Sequence, residues 1–160
     1  MGQRIFYEDV KKGMEIPSKR IIVDVMSQVK WACVDGNFNP IHYDKEYALS
    51  KGLPTYIVHG RYKDVLIAQM LMEWVGDYRA LRKLALEHRE MDIVGNAITF
   101  KGIVKKCIRE GHKIECEVWC ESPEGKKTVH GVAMLTLLSR RSRQKVNSRL
   151  CPKSSARNVK

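Results

Sequence analysis

One segment constrains the fold of this chain more than any other. From Gly60 to Trp74 the chain is apolar on nearly every side of a helix, through Tyr62, Val65, Leu66, Ile67, Ala68, Met70, Leu71, Met72 and Trp74. A helix of that composition is expected to be buried, because no polar stripe is left for water. Gly76-Asp77 closes it, so the rest of the chain must supply a cover. The C-terminal half has the strands to do so. Ala97 to Ile108 reads as one strand. Ile114 to Ser122 alternates, with Ile114, Cys116, Val118 and Cys120 on one face and Glu115, Glu117, Trp119 and Glu121 on the other. Pro123-Glu124-Gly125-Lys126 has hairpin-turn chemistry, and Thr128 to Leu138 returns as a third strand. One buried helix followed by an antiparallel sheet long enough to wrap it is an α+β arrangement.

The N-terminal half is more broken. Residues 1 to 17 read as an entry loop with turns at Lys12-Gly13 and Ile16-Pro17. Lys19 to Val23 forms a short strand. Asp24 is placed to cap a helix from Val25 to about Val34. Asp35-Gly36-Asn37 ends that helix, and Asn39-Pro40 extends the chain. A second short helix starts near Asp44 and takes in Lys45 to Ser50. Leu81 to Met91 is ambiguous: its Leu, Ala, Glu, Lys and Arg favour helix, while Leu84, Leu86, His88 and Glu90 also fit a period of two.

Length and charge narrow the class further. A chain of 160 residues suits one domain. The net charge of +11 is concentrated at one end, since residues 139 to 160 carry eight Lys/Arg and no acid, leaving +3 on the body. The expected organisation is a folded domain over 1–138 and a solvated, disordered basic tail over 139–160. The body lacks a basic stripe interleaved with aromatics, so no nucleic-acid partner is expected. No apolar run reaches membrane-spanning length and no secretory leader is visible, so a cytoplasmic protein without a membrane partner is expected. The five cysteines are odd in number and lack a C-x-x-C, which predicts free thiols. Cys116 and Cys120 share a strand face about 13 Å apart, too far for a disulfide, and belong to the core. No dinucleotide or P-loop signature and no G-x-S-x-G elbow is present.

The stretch that carries chemistry is Asp35-Gly36-Asn37-Phe38-Asn39-Pro40-Ile41-His42-Tyr43-Asp44, followed by Ile57-Val58-His59-Gly60 at the opening of the buried helix. The pair resembles the MaoC-like (R-specific enoyl-CoA) hydratases, in which a Gly-Asp-x-Asn-Pro-x-His loop precedes an apolar-x-His-Gly turn. The loop matches in order and without gaps except at Asn37, where the family has a carboxylate. Phe6-Tyr7-Glu8-Asp9 with Gly13, and Val94-Gly95-Asn96-Ala97-Ile98, extend the similarity in outline over residues 5 to 138. The resemblance implies a hotdog fold, a long antiparallel sheet wrapped around the central helix, and turns Leu81–Met91 into a strand. It implies a hydratase/dehydratase of fatty acid metabolism acting on an enoyl or 3-hydroxyacyl thioester of CoA or a carrier, with no cofactor. Its catalytic positions fall on Asn37, His42 and Gly60, and its substrate-binding positions on Asn39, Pro40 and His59. It also implies a homodimer, or a heterodimer with another hotdog chain.

The chemistry of such a site is intelligible. Hydrating an enoyl thioester needs a water held at the β-carbon, a proton for the α-carbon and a place for charge on the thioester oxygen. The amide at a helix start suits that oxygen, and Gly60 has no side chain to block it. His42 titrates near working pH and suits proton transfer. Asn37 can hold a water but cannot act as a base. Asp35 and Asp44 are the nearby carboxylates that could stand in. Three readings follow: a working hydratase, a non-catalytic subunit paired with an active hotdog chain, or a thioester-binding protein without turnover. No metal site is expected, because His42 and His59 lack a third ligand at regular spacing. His88, His112 and His130 read as packing or surface residues. Trp31, Tyr47, Tyr56, Tyr62 and Trp74 read as core or as the wall of an acyl tunnel. Lys51, Arg61 and Lys63 read as solvated surface or as contacts for CoA phosphates.

Overall fold

The computed structural model describes residues 4–140. A five-stranded antiparallel sheet, in the order β1-β3-β4-β5-β2, wraps one long helix. The strands are β1 (Glu15–Ile22), β2 (Leu81–His88), β3 (Ala97–Ile108), β4 (Lys113–Glu121) and β5 (Lys127–Thr136). The helices are α1 (Val25–Asp35), α2 (Lys45–Ser50) and the central α3 (Gly60–Val75). This is the expected hotdog architecture of the α+β class.

Local chemistry explains most boundaries. Asp24 accepts a hydrogen bond from the Ser27 amide at 2.7 Å and caps α1, which ends at Gly36 in the left-handed region. Asp44 caps α2 in the same way through Tyr47. Gly76, with φ of 71°, ends α3. Alternation places Ile98, Phe100 and Val104 of β3, Ile114, Cys116, Val118 and Cys120 of β4, and Val129, Ala133 and Leu135 of β5 on the concave face. They close on Leu66, Ile67, Met70 and Leu71 of α3. The four cysteines among the described residues are free, and burial pushes the Cys116 thiol up to about 12.

Several expectations need correction. The first strand starts at Glu15, not Lys19, because Glu15 and Ile16 pair with Ile103 and Gly102 of β3 ahead of a bulge. Leu81–His88 is the strand that the resemblance implies, with seven of its residues in register with β5, but it ends short of Met91. α3 is not buried on all sides, because Val65 is 43% exposed and Arg61 faces solvent. Lys63, expected at the surface, is 1% exposed. The expected tail boundary at residue 139 also moves. The Ser139 hydroxyl is buried and donates to Glu8 at 2.5 Å, and Arg140 pairs with Asp9 at 2.6 Å. The rest of that segment, 141–160 with Cys151, lies outside the described residues. Among the described residues no helix is long and apolar enough to cross a membrane.

Candidate active site

The loop after α1 is built by its own side chains. Asn37 Oδ1 accepts from the Asn39 amide at 3.2 Å, and Asn39 Oδ1 accepts from the Ile41 amide at 3.3 Å. Such Asn-centred turns are what short amides do in loops. Pro40 then starts a single 3₁₀ turn, Pro40–His42, where its fixed φ and missing N–H cost nothing. The Ile57 amide donates to the Ile41 carbonyl at 3.1 Å, fastening this loop to the segment that leads into α3.

That fastening aims His42. Its ring is 7% exposed, and Nδ1 lies 2.9 Å from the Ile57 carbonyl. A carbonyl only accepts, so Nδ1 carries the proton and the lone pair is left on Nε2. Burial lowers the pKa of His42, and the Ile57 carbonyl offsets part of that shift. The result is a neutral imidazole with one defined basic nitrogen.

His42 stacks on His59 with ring centroids 3.5 Å apart and planes 24° from parallel. His59 is 2% exposed, and burial first, then the neighbouring His42, holds its pKa down to about 4, with Asp35 pulling the other way. Its amide donates at 2.8 Å to Oε1 of the buried Gln28 on α1. Three side-chain atoms in this cluster are buried without a hydrogen-bond partner: His59 Nε2, Gln28 Nε2 and Trp31 Nε1. Trp31 stacks on Tyr62 at 5.4 Å, and a cleft of about 190 Å³ opens between Trp31, Val34 and Tyr62. Gly60 follows His59 as the first residue of α3, and no side chain caps that helix start. Its amide is among those with no intrahelical acceptor.

The structure therefore stacks His42 on His59, the residue before Gly60, and Asn39 and Pro40 build the turn that carries His42. Asn37 is exposed, with its carbonyl oxygen spent on the turn. Neither nearby carboxylate approaches His42 in these contacts: Asp35 faces Arg61 at 3.5 Å, and Asp44 caps α2. Among the described residues no group of His, Cys, Asp and Glu has the arrangement of a metal site.

Sequence reasoning missed four polar residues at the same end of α3. Lys63 Nζ donates to Asp92 Oδ2 at 2.6 Å, with both side chains 2% exposed, and to the Glu90 carbonyl at 3.3 Å. The Asp92 carbonyl in turn accepts from the Val58 amide at 2.8 Å, so this ion pair holds the approach to His59. His88 lies against Gly60 and is in ion-pair contact with Asp64 at 3.0 Å, with the ring N–H out of line for a hydrogen bond. The space above the Gly60 α-carbon is thus occupied by an imidazole. The one available signal was Lys63-Asp64 standing one turn into a helix expected to be buried.

The family model for the MaoC like domain matches residues 10–139. Among solved structures, the chain is similar to the (R)-hydratase from A. caviae involved in PHA biosynthesis, with a TM-score of 0.77, 18% identity, and coverage of 81% of this chain and 98% of that one. A MaoC-like dehydratase matches with a TM-score of 0.75 and 30% identity over 84% of this chain, which spans 42% of that longer protein. The ChsH1–ChsH2 complex from Mycobacterium tuberculosis matches with a TM-score of 0.72 and 20% identity, covering 79% and 98% of the two chains.

Proposed function

Because the chain belongs to the MaoC-like domain family, whose hydratases and dehydratases share its fold, we propose that it adds water to a 2-enoyl thioester or removes it from a 3-hydroxyacyl thioester. The observation that carries this reading is the stacked His42–His59 pair immediately ahead of the uncapped amide of Gly60. The thioester oxygen would sit at that amide, where the helix dipole favours developing negative charge. His42 Nε2 would take the proton from the attacking water. Asn37, through its amide nitrogen, would help hold that water. His59 stays neutral and acts as a flat apolar wall, which keeps charge away from the enolate. The acyl group or its carrier arm would run along the Trp31–Tyr62 cleft. No metal or organic cofactor enters such a step.

The assembly we propose is a pair of hotdog chains. Strand β2 is an edge of the sheet, paired on one side with β5, and edges of this kind are paired or blocked in stable proteins. Val132 beside it on β5 and Val65 on α3 are exposed apolar residues that a partner would cover. One observation favours the second reading, a non-catalytic subunit: Asn37 cannot serve as a base. Hydration of crotonyl-CoA by the purified chain separates the two. Turnover that His42→Ala abolishes supports the hydratase, and no turnover without an added hotdog partner supports the subunit.

A further inference from the structure

A second titratable pair lies at the start of α3 and has no part in the step described above. His88 ends β2, and its ring rests on Gly60. A β carbon on that glycine would stand 3.2 Å from Cε1 and 3.3 Å from Nδ1 of the ring. On the other side of the ring, Nε2 lies 3.0 Å from Asp64 Oδ1, one turn into the same helix. The imidazole is held between a carboxylate and the backbone of Gly60. The side chains of His88 and Asp64 remain 39% and 33% exposed, unlike the sealed Lys63–Asp92 pair next to them. Charged neighbours of the pair come from α3, where Lys63 and Arg61 both draw down the Asp64 pKa that burial raises. Opposite His88 on β5 is Val129, which carries no charge.

Two imidazoles therefore reach one dipeptide. His42 reaches His59 from the loop, and His88 reaches Gly60 from the sheet. A thioester bound at the Gly60 amide has its α-carbon two bonds from the bound oxygen. Resting on the hydratase reading, we propose that the His88–Asp64 pair supplies the proton transfer that Asn37 cannot, with His88 exchanging a proton with the α-carbon and Asp64 as its positioning residue.

The step balances. The water oxygen bonds to the β-carbon as the carbon–carbon π bond opens. The water proton passes to Nε2 of neutral His42. The electron pair arriving at the α-carbon takes a proton from Nδ1 of doubly protonated His88, whose Nε2 lies 3.0 Å from Asp64 Oδ1. The two rings then exchange protons with solvent, and nothing is oxidised or reduced. Asp64 offsets the charge of the imidazolium before transfer and leaves it oriented afterwards. Gly60 serves this arrangement because any side chain there would push the ring away.

The test is crotonyl-CoA hydration across pH by wild type, H88Q, D64N, H42A, N37D and the H88Q/N37D double variant, each with a thermal melt. His88→Gln is expected to lower kcat by about 100-fold or more, the contribution of one positioned acid or base. The double variant should recover activity, because the family's carboxylate is restored. Asp64→Asn should move the alkaline limb of the kcat profile to lower pH while leaving the acid limb in place, which a general loss of packing would not do. H88Q within about threefold of wild type, with H42A inactive, overturns the pair and leaves the hydratase reading standing. An unchanged pH profile in D64N overturns the role of Asp64, and this variant decides the matter if H88Q fails to fold. Turnover by N37D but not by wild type also overturns the pair. Turnover by neither overturns both readings.

Discussion

Acid should unfold this domain earlier than its carboxylates alone require, and His59 is the reason. Its ring is buried, Nε2 has no partner, and burial reinforced by His42 holds its pKa at about 4 against 6.5 for a free histidine. Protonation therefore belongs to the unfolded chain. The stabilising contribution is complete above pH 6.5 and is lost as pH falls toward 4, because only the unfolded state takes up the proton in that window. At 1.36 kcal/mol per unit, integration from pH 7 to pH 5 gives a loss of roughly 2 kcal/mol from this one ring. In a domain of this size that is about 4–8 °C in Tm. His42, lowered by burial as well, adds in the same direction. Glu8, Glu73 and Glu117 are held below their usual range by Ser139, Lys19 and His130 respectively, so they titrate below the window. Asp64, pushed up by burial, contributes with the opposite sign but does so equally in wild type and variant. Thermal melts of wild type and His59→Gln at pH 7, 6 and 5 and fixed ionic strength isolate the effect. The variant should lose markedly less stability across the interval. Equal losses in the two proteins would refute a buried, neutral His59.

Two further predictions concern the scaffold. Gly131→Ala would place a β carbon 2.1 Å from the Ala85 carbonyl oxygen and 2.9 Å from the Leu86 α-carbon, which are backbone atoms with no room to yield. Urea unfolding should show a loss of about 3 kcal/mol or more, with protease cleavage appearing in β2. Lys63→Met should cost about 3–5 kcal/mol by stranding Asp92, and the Lys63→Met/Asp92→Leu double variant should recover most of it, both read by urea titration.

What could be read from the sequence was whatever nearest neighbours decide. Capping by Asp24 and Asp44, the Gly36 and Gly76 stops, and the alternation of β4 are local facts, and each appears where its residues put it. The 35-to-44 loop was legible as a unit because Asn39 and Pro40 act on residues within three positions of themselves. What escaped were contacts fixed by distant chain. Lys63 meets Asp92 across 29 residues, and nothing near Lys63 announces that its ammonium turns inward. His88 meets Gly60 only because β2 lies alongside the start of α3. The strand itself overrides its helical composition through pairing with β5. The all-round apolar character of α3 was a true observation with an incomplete consequence. One chain covers only part of the helix, and exposed Val65 marks the face left over.

The distribution of unpaired polar atoms bears on whether the site is in use. Among the described residues, the buried side-chain atoms without a partner are Gln28 Nε2, Trp31 Nε1, His59 Nε2, Asp64 Oδ1, Asp92 Oδ1 and Thr128 Oγ1. Each such atom costs on the order of 1–3 kcal/mol, and folded proteins keep few of them. Here they are not scattered. Gln28 binds the His59 amide, Trp31 stacks on Tyr62, Asp92 binds Lys63, Asp64 faces His88, and the Thr128 carbonyl accepts from the residue after His88. Gln28, Asp92 and Asp64 thereby meet or belong to residues 59–64, at the start of α3. A domain kept only to support a partner gains nothing from that cost. Unpaired polarity gathered at one helix start, in a scaffold otherwise consistent at every level, favours the proposed hydratase reading. On that reading, the carboxylate that Asn37 does not supply would be replaced by the proposed His88–Asp64 pair on the sheet side of Gly60.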